Sequence, residues 1–156
     1  MTGPRAAPAV ATLGLQLALA LAGCAPVPEG LAGYFEGQGW WSNEVGEFEA
    51  SLTLQLDLDG DSAAGPIYAE AGERSATATV RVLSVDADGA MVRDYSDCVG
   101  LMPEREWGYG CPFHDGEHWT VDRWTWVPPE RIVIEHGDAD SEANQITARL
   151  FRIQDP

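Results

Sequence analysis

The sequence predicts an all-β fold, an antiparallel up-and-down meander that forms a small barrel of eight or nine strands. A β-sandwich is the alternative. Two observations predict the all-β fold. From residue 31 onward, apolar and polar side chains alternate with a period of two, as in half-buried antiparallel strands. Turn-forming residues separate these runs about every 8–12 residues, which is the strand spacing of sandwiches and barrels.

The clearest strand is 47–59, "EFEASLTLQLDLD". A helix would spread its leucines around the whole circumference, whereas a strand places them on one face. The preceding stretch 33–42 is rich in glycine and aromatic residues, which predicts a bent strand that another backbone approaches closely. Its pattern leaves open which way Trp40 and Trp41 face. The predicted inner face of 47–59 consists of Phe48, Ala50, Leu52, Leu54, Leu56 and Leu58.

Shorter candidate strands follow. The last of them, 144–153, also has apolar residues at the spacing of one face of a helix. Thr147, Phe151 and Ile153 favour a strand, because β-branched and aromatic residues are enriched in strands. Closing such a meander removes its exposed edges, and an eight-stranded barrel has room for side chains or one small ligand. The architecture alone resembles the lipocalin and avidin barrels. The predicted strands are 65–71, 75–85, 90–98, 106–114, 118–127, 131–136 and 144–153.

The chain begins with a targeting segment. Residues 1–8 carry Arg5 and no acid, and residues 9–22 are almost wholly apolar. This run is shorter than the ~20 residues that a membrane-spanning helix needs. A short charged head, a short apolar run and small residues after it indicate a secretory signal peptide.

The signal ends in Leu21-Ala22-Gly23-Cys24, which resembles the lipobox of bacterial lipoprotein precursors. The resemblance implies that the Cys24 thiol receives a diacylglyceryl group and that signal peptidase II then cleaves before Cys24. It also implies acylation of the new amino group. Two or three acyl chains on one residue give a stable anchor where one chain gives a marginal one. Ala25 follows Cys24, which resembles the pattern for outer-membrane sorting.

These features divide the chain into a signal peptide (1–23), a lipidated Cys24 with a short proline-containing tether (24–30), and a single β-domain (31–156). Cleavage leaves 133 residues, enough for one domain. The six tether residues after Cys24 span at most about 20 Å. We therefore expect a domain held close to the membrane, in the bacterial cell envelope and at the outer membrane, with the lipid bilayer as its partner.

The acidic composition excludes some partners. The net charge is −16 and the chain contains no lysine. Binding of nucleic acid requires clustered basic residues that neutralise phosphates, and binding to anionic lipids requires a basic patch. Neither is present, so attachment depends on acyl chains. The acidity itself serves solubility or the capture of cationic ligands.

Two cysteines remain after Cys24. Cys98 and Cys111 are predicted to form a disulfide, because an exported chain meets an oxidising compartment. A loop of this size would contribute about 3 kcal/mol in the chain-entropy model. A metal site built on the same two thiolates would lack the further His or Cys ligands that zinc requires.

A predicted hairpin at 106–127 carries the candidate ligand-binding residues. Asp115-Gly116 is a strong two-residue turn signal, and it would pair His114 with Glu117 and Phe113 with His118. One face of the hairpin is then aromatic with a single acid. These side chains either fill the core or line a pocket. The candidates are Trp107, Tyr109, Phe113, Asp122, Trp124 and Trp126.

No residue set predicts a metal site, a cofactor or a catalytic centre. His114 and His118 fall on opposite faces of the hairpin. The acidic run 57–61 fails the EF-hand pattern, because Ser62 and Tyr68 stand where Gly and Glu are required. A looser calcium site at these acids, or at Asp138, Asp140 and Glu142, stays open beside their reading as solvated turns. No serine lies in a G-x-S-x-G elbow.

The sequence therefore predicts a non-enzymatic, membrane-anchored envelope lipoprotein that presents a small acidic β-domain. Its expected ligand is a small apolar or aromatic molecule bound at the 107–126 face. The alternative is a structural or protein-interaction role at the outer membrane with no small-molecule ligand. A hydrolase with an unassigned site comes third.

Overall fold

A computed structural model describes residues 26–43, 46–101, 114–115, 118–119, 123–135 and 145–154. The signal segment and Cys24 lie outside these residues. Within them, no helix is long and apolar enough to cross a bilayer. A short 3₁₀ turn, Glu29–Leu31, precedes the strands. These are β1 (Gly33–Asn43), β2 (Gly46–Asp59), β3 (Ser62–Ala71), β4 (Arg74–Val85), β5 (Met91–Leu101), β6 (His114–Asp115), β7 (His118–Trp119), β8 (Arg123–Val127), β9 (Arg131–Glu135) and β10 (Gln145–Arg152).

The predicted all-β meander is confirmed. One antiparallel sheet has the order β5-β4-β3-β2-β1-β10-β9-β8, so the last strand returns to pair with the first. The sheet is strongly curled, like half of a barrel. Its edge strands meet where Ala90 forms a β-bridge with Thr125 and the backbone N–H of Trp126 donates to the Gly89 carbonyl at 2.8 Å. The main sheet is thus one curled layer and not the two packed layers of a sandwich.

The inner face of the sheet forms the hydrophobic core. The alternation of apolar and polar residues in the sequence predicts which side chains lie on this face. In β2, the leucines at 52, 54 and 56 are buried, whereas Leu58 at the strand end is exposed. Strand β10 is also confirmed. Its Ala148 and Leu150 are buried while Phe151 is exposed, which is the period of a strand and not of a helix.

Strand β3 begins earlier than predicted. The expected start was residue 65, with Pro66 opening the strand, but β3 begins at Ser62. The pairing with β2 runs from Ser51–Glu70 to Asp59–Ser62 and is interrupted between Leu54–Ile67 and Asp57–Ala64. Pro66, which has no N–H to donate, lies between these pairs, so the strand continues past it.

The glycines of β1 act as predicted. A side chain at Gly37 would collide with the carbonyl oxygen of Arg149, and one at Gly39 with that of Thr147. Both carbonyls belong to β10, the neighbouring strand. The absence of a Cβ therefore lets the two backbones approach closely where the sheet curls.

One end of the curled sheet, which we call the base, is closed by the segment 26–32. It lies where β1, β3 and β5 begin. Leu31 is fully buried, and the backbone N–H of Val27 donates to the Asp61 carbonyl at 3.0 Å. Arg152 holds this segment by donating to the carbonyls of Gly30 and Ala32, and it also donates to the carbonyl of Pro129 in the turn after β8.

The predicted register of the 106–127 hairpin is wrong. Asp115 pairs with His118, and His114 pairs with Trp119, whereas the expected partners were Glu117 for His114 and His118 for Phe113. The two registers differ by two positions along one strand. Alternation of faces therefore cannot distinguish them, and the turn signal at Asp115-Gly116 placed the reversal one residue too early.

Candidate functional site

The structure places two of the six candidate ligand-binding residues. Trp124 and Trp126 both point inward from β8, with exposed fractions of 1% and 9%. Trp107, Tyr109, Phe113 and Asp122 lie outside the described residues. Arg123 and Val127 face solvent, so the predicted division of this strand into an inner and an outer face is confirmed.

Trp124 lies where β8 approaches β5. Its ring makes an edge-to-face contact with Tyr95, with centroids 6.3 Å apart and planes at 66°, a favoured geometry for aromatic pairs. The guanidinium of Arg93 lies 5.0 Å from the Trp124 ring centre, and Arg93 Nε donates to Tyr95 Oη at 2.9 Å. We call Arg93, Tyr95, Trp124 and Trp126 the seam cluster. It combines a cation with three aromatic rings on the inner side of the sheet.

The indole nitrogens of the seam cluster have an unusual environment. Nε1 of Trp124 and Nε1 of Trp126 are buried and have no hydrogen-bond partner within the described part of the chain. Buried Trp N–H groups normally find an acceptor. Each donor left unpaired costs about 1–3 kcal/mol. Two such donors on one strand make this a place where a hydrogen-bond acceptor would be stabilised.

The other predicted sites are only partly placed. Cys98 lies in β5, where it packs against the core, and Cys111 lies outside the described residues, so the disulfide stays a prediction. At the end of β2, Asp59 forms an ion pair with Arg81 at 2.8 Å. Across the described ranges, no three His, Cys, Asp or Glu side chains are placed to hold one metal ion. Residues 138–142 are not among those described.

The sequence pattern missed a hollow on the outer side of the sheet. It has a volume of about 430 Å³ and spans β1, β10 and β9. Trp40, which is 52% exposed, stands in its wall. We call it the outer hollow; it is lined by Gln38, Gly39, Trp40, Val133, Ile134, Glu135, Thr147, Ala148 and Arg149.

Comparisons of the chain with protein-family models, with curated proteins and with solved structures found no match.

Proposed function

We propose that this chain is a lipid-anchored lipoprotein of the bacterial envelope that binds a small ligand on the inner side of its curled sheet, without catalysing a reaction. The ligand has an apolar or aromatic body and at least one hydrogen-bond acceptor. The observation that carries the proposal is the pair of buried, unpartnered indole N–H groups of Trp124 and Trp126.

The energetics support a ligand at this place. An acceptor that reaches one of the indole N–H groups removes a penalty that the unliganded protein bears. This gain is added to the burial of the ligand's apolar surface, worth about 25 cal/mol per Å². The neighbouring Arg93 guanidinium, over the Trp124 ring, places a positive charge near this site, and a positive charge attracts the partial negative charge of an acceptor.

The anchor is supported by the lipobox at 21–24 and by the position of the segment that follows it. Residues 26–32 are packed into the base, so acyl chains on Cys24 would hold the base against the membrane. The opposite end of the sheet would then face away from the bilayer. We also propose that Cys98 and Cys111 form the disulfide of the exported domain.

A protein-interaction role is the second candidate, and a distinct observation favours it. Most large apolar side chains that are exposed in the described part of the chain lie within two residues of the base end of a strand. Exposed apolar groups collected in one region mark contact surfaces more often than scattered ones do. They are Tyr34, Leu58, Leu83, Val92, Val127, Phe151 and Ile153.

The anchor is tested by labelling cells with radioactive palmitate. The wild-type chain should carry label and Cys24→Ala should carry none. Label on both chains would remove the lipoprotein assignment. Mass measurement of the exported, unreduced protein should in addition find no free thiol at Cys98 or Cys111.

The ligand site is tested with the mature acylated protein in detergent micelles and a library of small aromatic and apolar molecules with acceptor groups. A hit should shift tryptophan emission and raise the melting temperature. Trp124→Phe keeps an aromatic ring and deletes the N–H, so it should weaken binding at least fivefold. Trp40→Phe, the matched change on the outer face, should leave the affinity unchanged. A library without hits, or equal loss in both variants, would refute the seam cluster as the site.

A further inference from the structure

The outer hollow is an ordered array of side chains that follows from strand register. Trp40 pairs with Thr147 and Gln38 pairs with Arg149 across β1 and β10. Arg149 pairs in turn with Val133 of β9. Side chains two residues apart on a strand share a face, so these residues form two parallel rows on the outer side of the sheet. Glu135 extends the row of Trp40 and Thr147 on β9.

The polar side chains of this array are available to a ligand. Gln38, Glu135, Thr147 and Arg149 make no side-chain hydrogen bond or ion pair to another residue of the described ranges. Together they offer an amide, a carboxylate, a hydroxyl and a guanidinium, which include both donors and acceptors. They surround one half-exposed indole, whose flat face is apolar and whose edge carries an N–H.

A second hollow of about 220 Å³ adjoins the first and shares Gln38 with it. Its walls include Glu49, Ser51 and Glu70. Glu49 pairs with Trp40, and Ser51 pairs with Gln38, so the two rows continue across β2. The combined surface is elongated, polar and centred on Trp40 and Gln38.

We infer that this surface binds a short oligosaccharide. A sugar ring presents a C–H face that packs on an indole, and a rim of hydroxyls that pairs with amide, carboxylate and guanidinium groups. An aliphatic or purely aromatic ligand would leave the four polar side chains unused. The elongated pair of hollows fits two or three sugar units better than a single compact one.

Charge restricts the sugar further. Glu49, Glu70 and Glu135 line the two hollows, against the single cation Arg149. The net charge of the chain, −16, has the same sign as this excess. A neutral or amino sugar is therefore favoured over one that carries carboxylates, which these side chains would repel.

The test uses the mature acylated protein in micelles and a defined panel: chito-, cello- and malto-oligosaccharides of two to four units, de-N-acetylated chito-oligosaccharides, and oligogalacturonates. Calorimetry should detect binding of a neutral or amino oligosaccharide with a Kd in the millimolar range or below. Trp40→Ala should weaken it at least tenfold. Tyr34→Ala, which removes an exposed aromatic of the outer face that lines neither hollow, should leave it unchanged.

Two results would overturn the inference: no member of the panel binds, or Trp40→Ala binds as tightly as Tyr34→Ala. A preference for oligogalacturonates would refute the charge argument. Because the outer hollow and the seam cluster lie on opposite faces of the sheet, a ligand found for the seam cluster should not compete with the oligosaccharide. Each site can thus fail without the other.

Discussion

Trp40 and Trp41 are adjacent in β1 and have opposite environments. Trp41 is fully buried, whereas Trp40 is 52% exposed. The alternation of a strand sends the two indoles to opposite faces. One residue type therefore serves as a core side chain and as part of a candidate binding surface. The comparison indicates that the face of the sheet decides the role of an aromatic residue in this protein.

The same contrast separates the two faces of the whole sheet. The inner face combines large residues on β1 and β8, such as Phe35 and Trp124, with several alanines on β3 and β4, all within one core cluster. Large and small side chains on facing elements can fill an interior closely. The outer face carries most of the charge and both hollows. Substitutions that leave cavities on the inner face should therefore lower stability, whereas substitutions on the outer face should leave it nearly unchanged.

The largest expected effect comes from truncating the inner tryptophan. Trp41→Ala should lower the free energy of unfolding by about 3–5 kcal/mol, because it leaves a large cavity in the core. Trp40→Ala, one residue away, should change it by less than about 0.5 kcal/mol, as surface substitutions usually do. Denaturant titration of both variants measures the difference. Similar losses in the two would contradict the assignment of faces.

A smaller effect is expected for the arginine that fastens the base. Arg152 donates to three carbonyls and lies 4.7 Å from the Phe35 ring centre. Hydrogen bonds from charged donors contribute about 1.5–3 kcal/mol, so Arg152→Ala should cost about 2 kcal/mol. Arg149→Ala, on the same strand but in the outer hollow, is the control and should cost almost nothing. Equal stabilities would show that segment 26–32 does not need this fastening.

Removing one unpaired donor should have a still smaller net effect on stability. Trp124→Phe deletes a buried N–H that has no acceptor within the described part of the chain, which is favourable, and it removes ring volume, which is unfavourable. We expect the unfolding free energy to change by less than about 1.5 kcal/mol. Trp41→Phe is the comparison, measured in the same titrations. A loss well above that range at Trp124 would mean that its N–H has a partner.

The sequence predicted the fold class and most strands, because alternation is a local property of the chain. It did not determine the facing of Trp40 and Trp41. In "GYFEGQGWW", glycines occupy inner positions 37 and 39, and a residue without a side chain shows no polarity. The pattern also places Pro66 at the start of a strand 65–71, whereas β3 begins at Ser62.

The candidate sites were harder to predict for a different reason. Aromatic content marked Trp124 and Trp126, and the structure buries both. Whether an indole N–H finds an acceptor, however, depends on neighbours distant in sequence, which no local pattern contains. The outer hollow arises likewise from the register of β1, β10 and β9. Register follows from the whole sheet, as the misplaced hairpin pairing also shows.

The smallest effect we expect is a pH dependence confined to the outer face. The Tyr68 hydroxyl donates to Glu70 at 2.9 Å, and this bond, with a smaller contribution from burial, raises the pKa of Tyr68 above 10.0. A hydrogen bond to Glu36, with a smaller contribution from burial, raises the pKa of Tyr34 in the same way. Because the folded state holds these protons more tightly than the unfolded state does, the two hydrogen bonds make their full contribution to the free energy of unfolding below pH 10. This contribution is lost as the pH rises through the raised values.

The double variant Tyr34→Phe/Tyr68→Phe has no phenol at either position, so it should lose less stability than the wild type above about pH 10. Urea midpoints measured from pH 6 upward give the two curves, and each curve is compared with its own value at pH 6. Since both tyrosines lie on the outer face, the curves should have the same shape at neutral pH and separate only in the alkaline range. Curves that stay parallel throughout would show that these carboxylates do not act on the tyrosines. Curves that already differ in shape near neutral pH would show that a group other than the two phenols responds to the substitutions, so that the effect is not confined to these outer-face tyrosines.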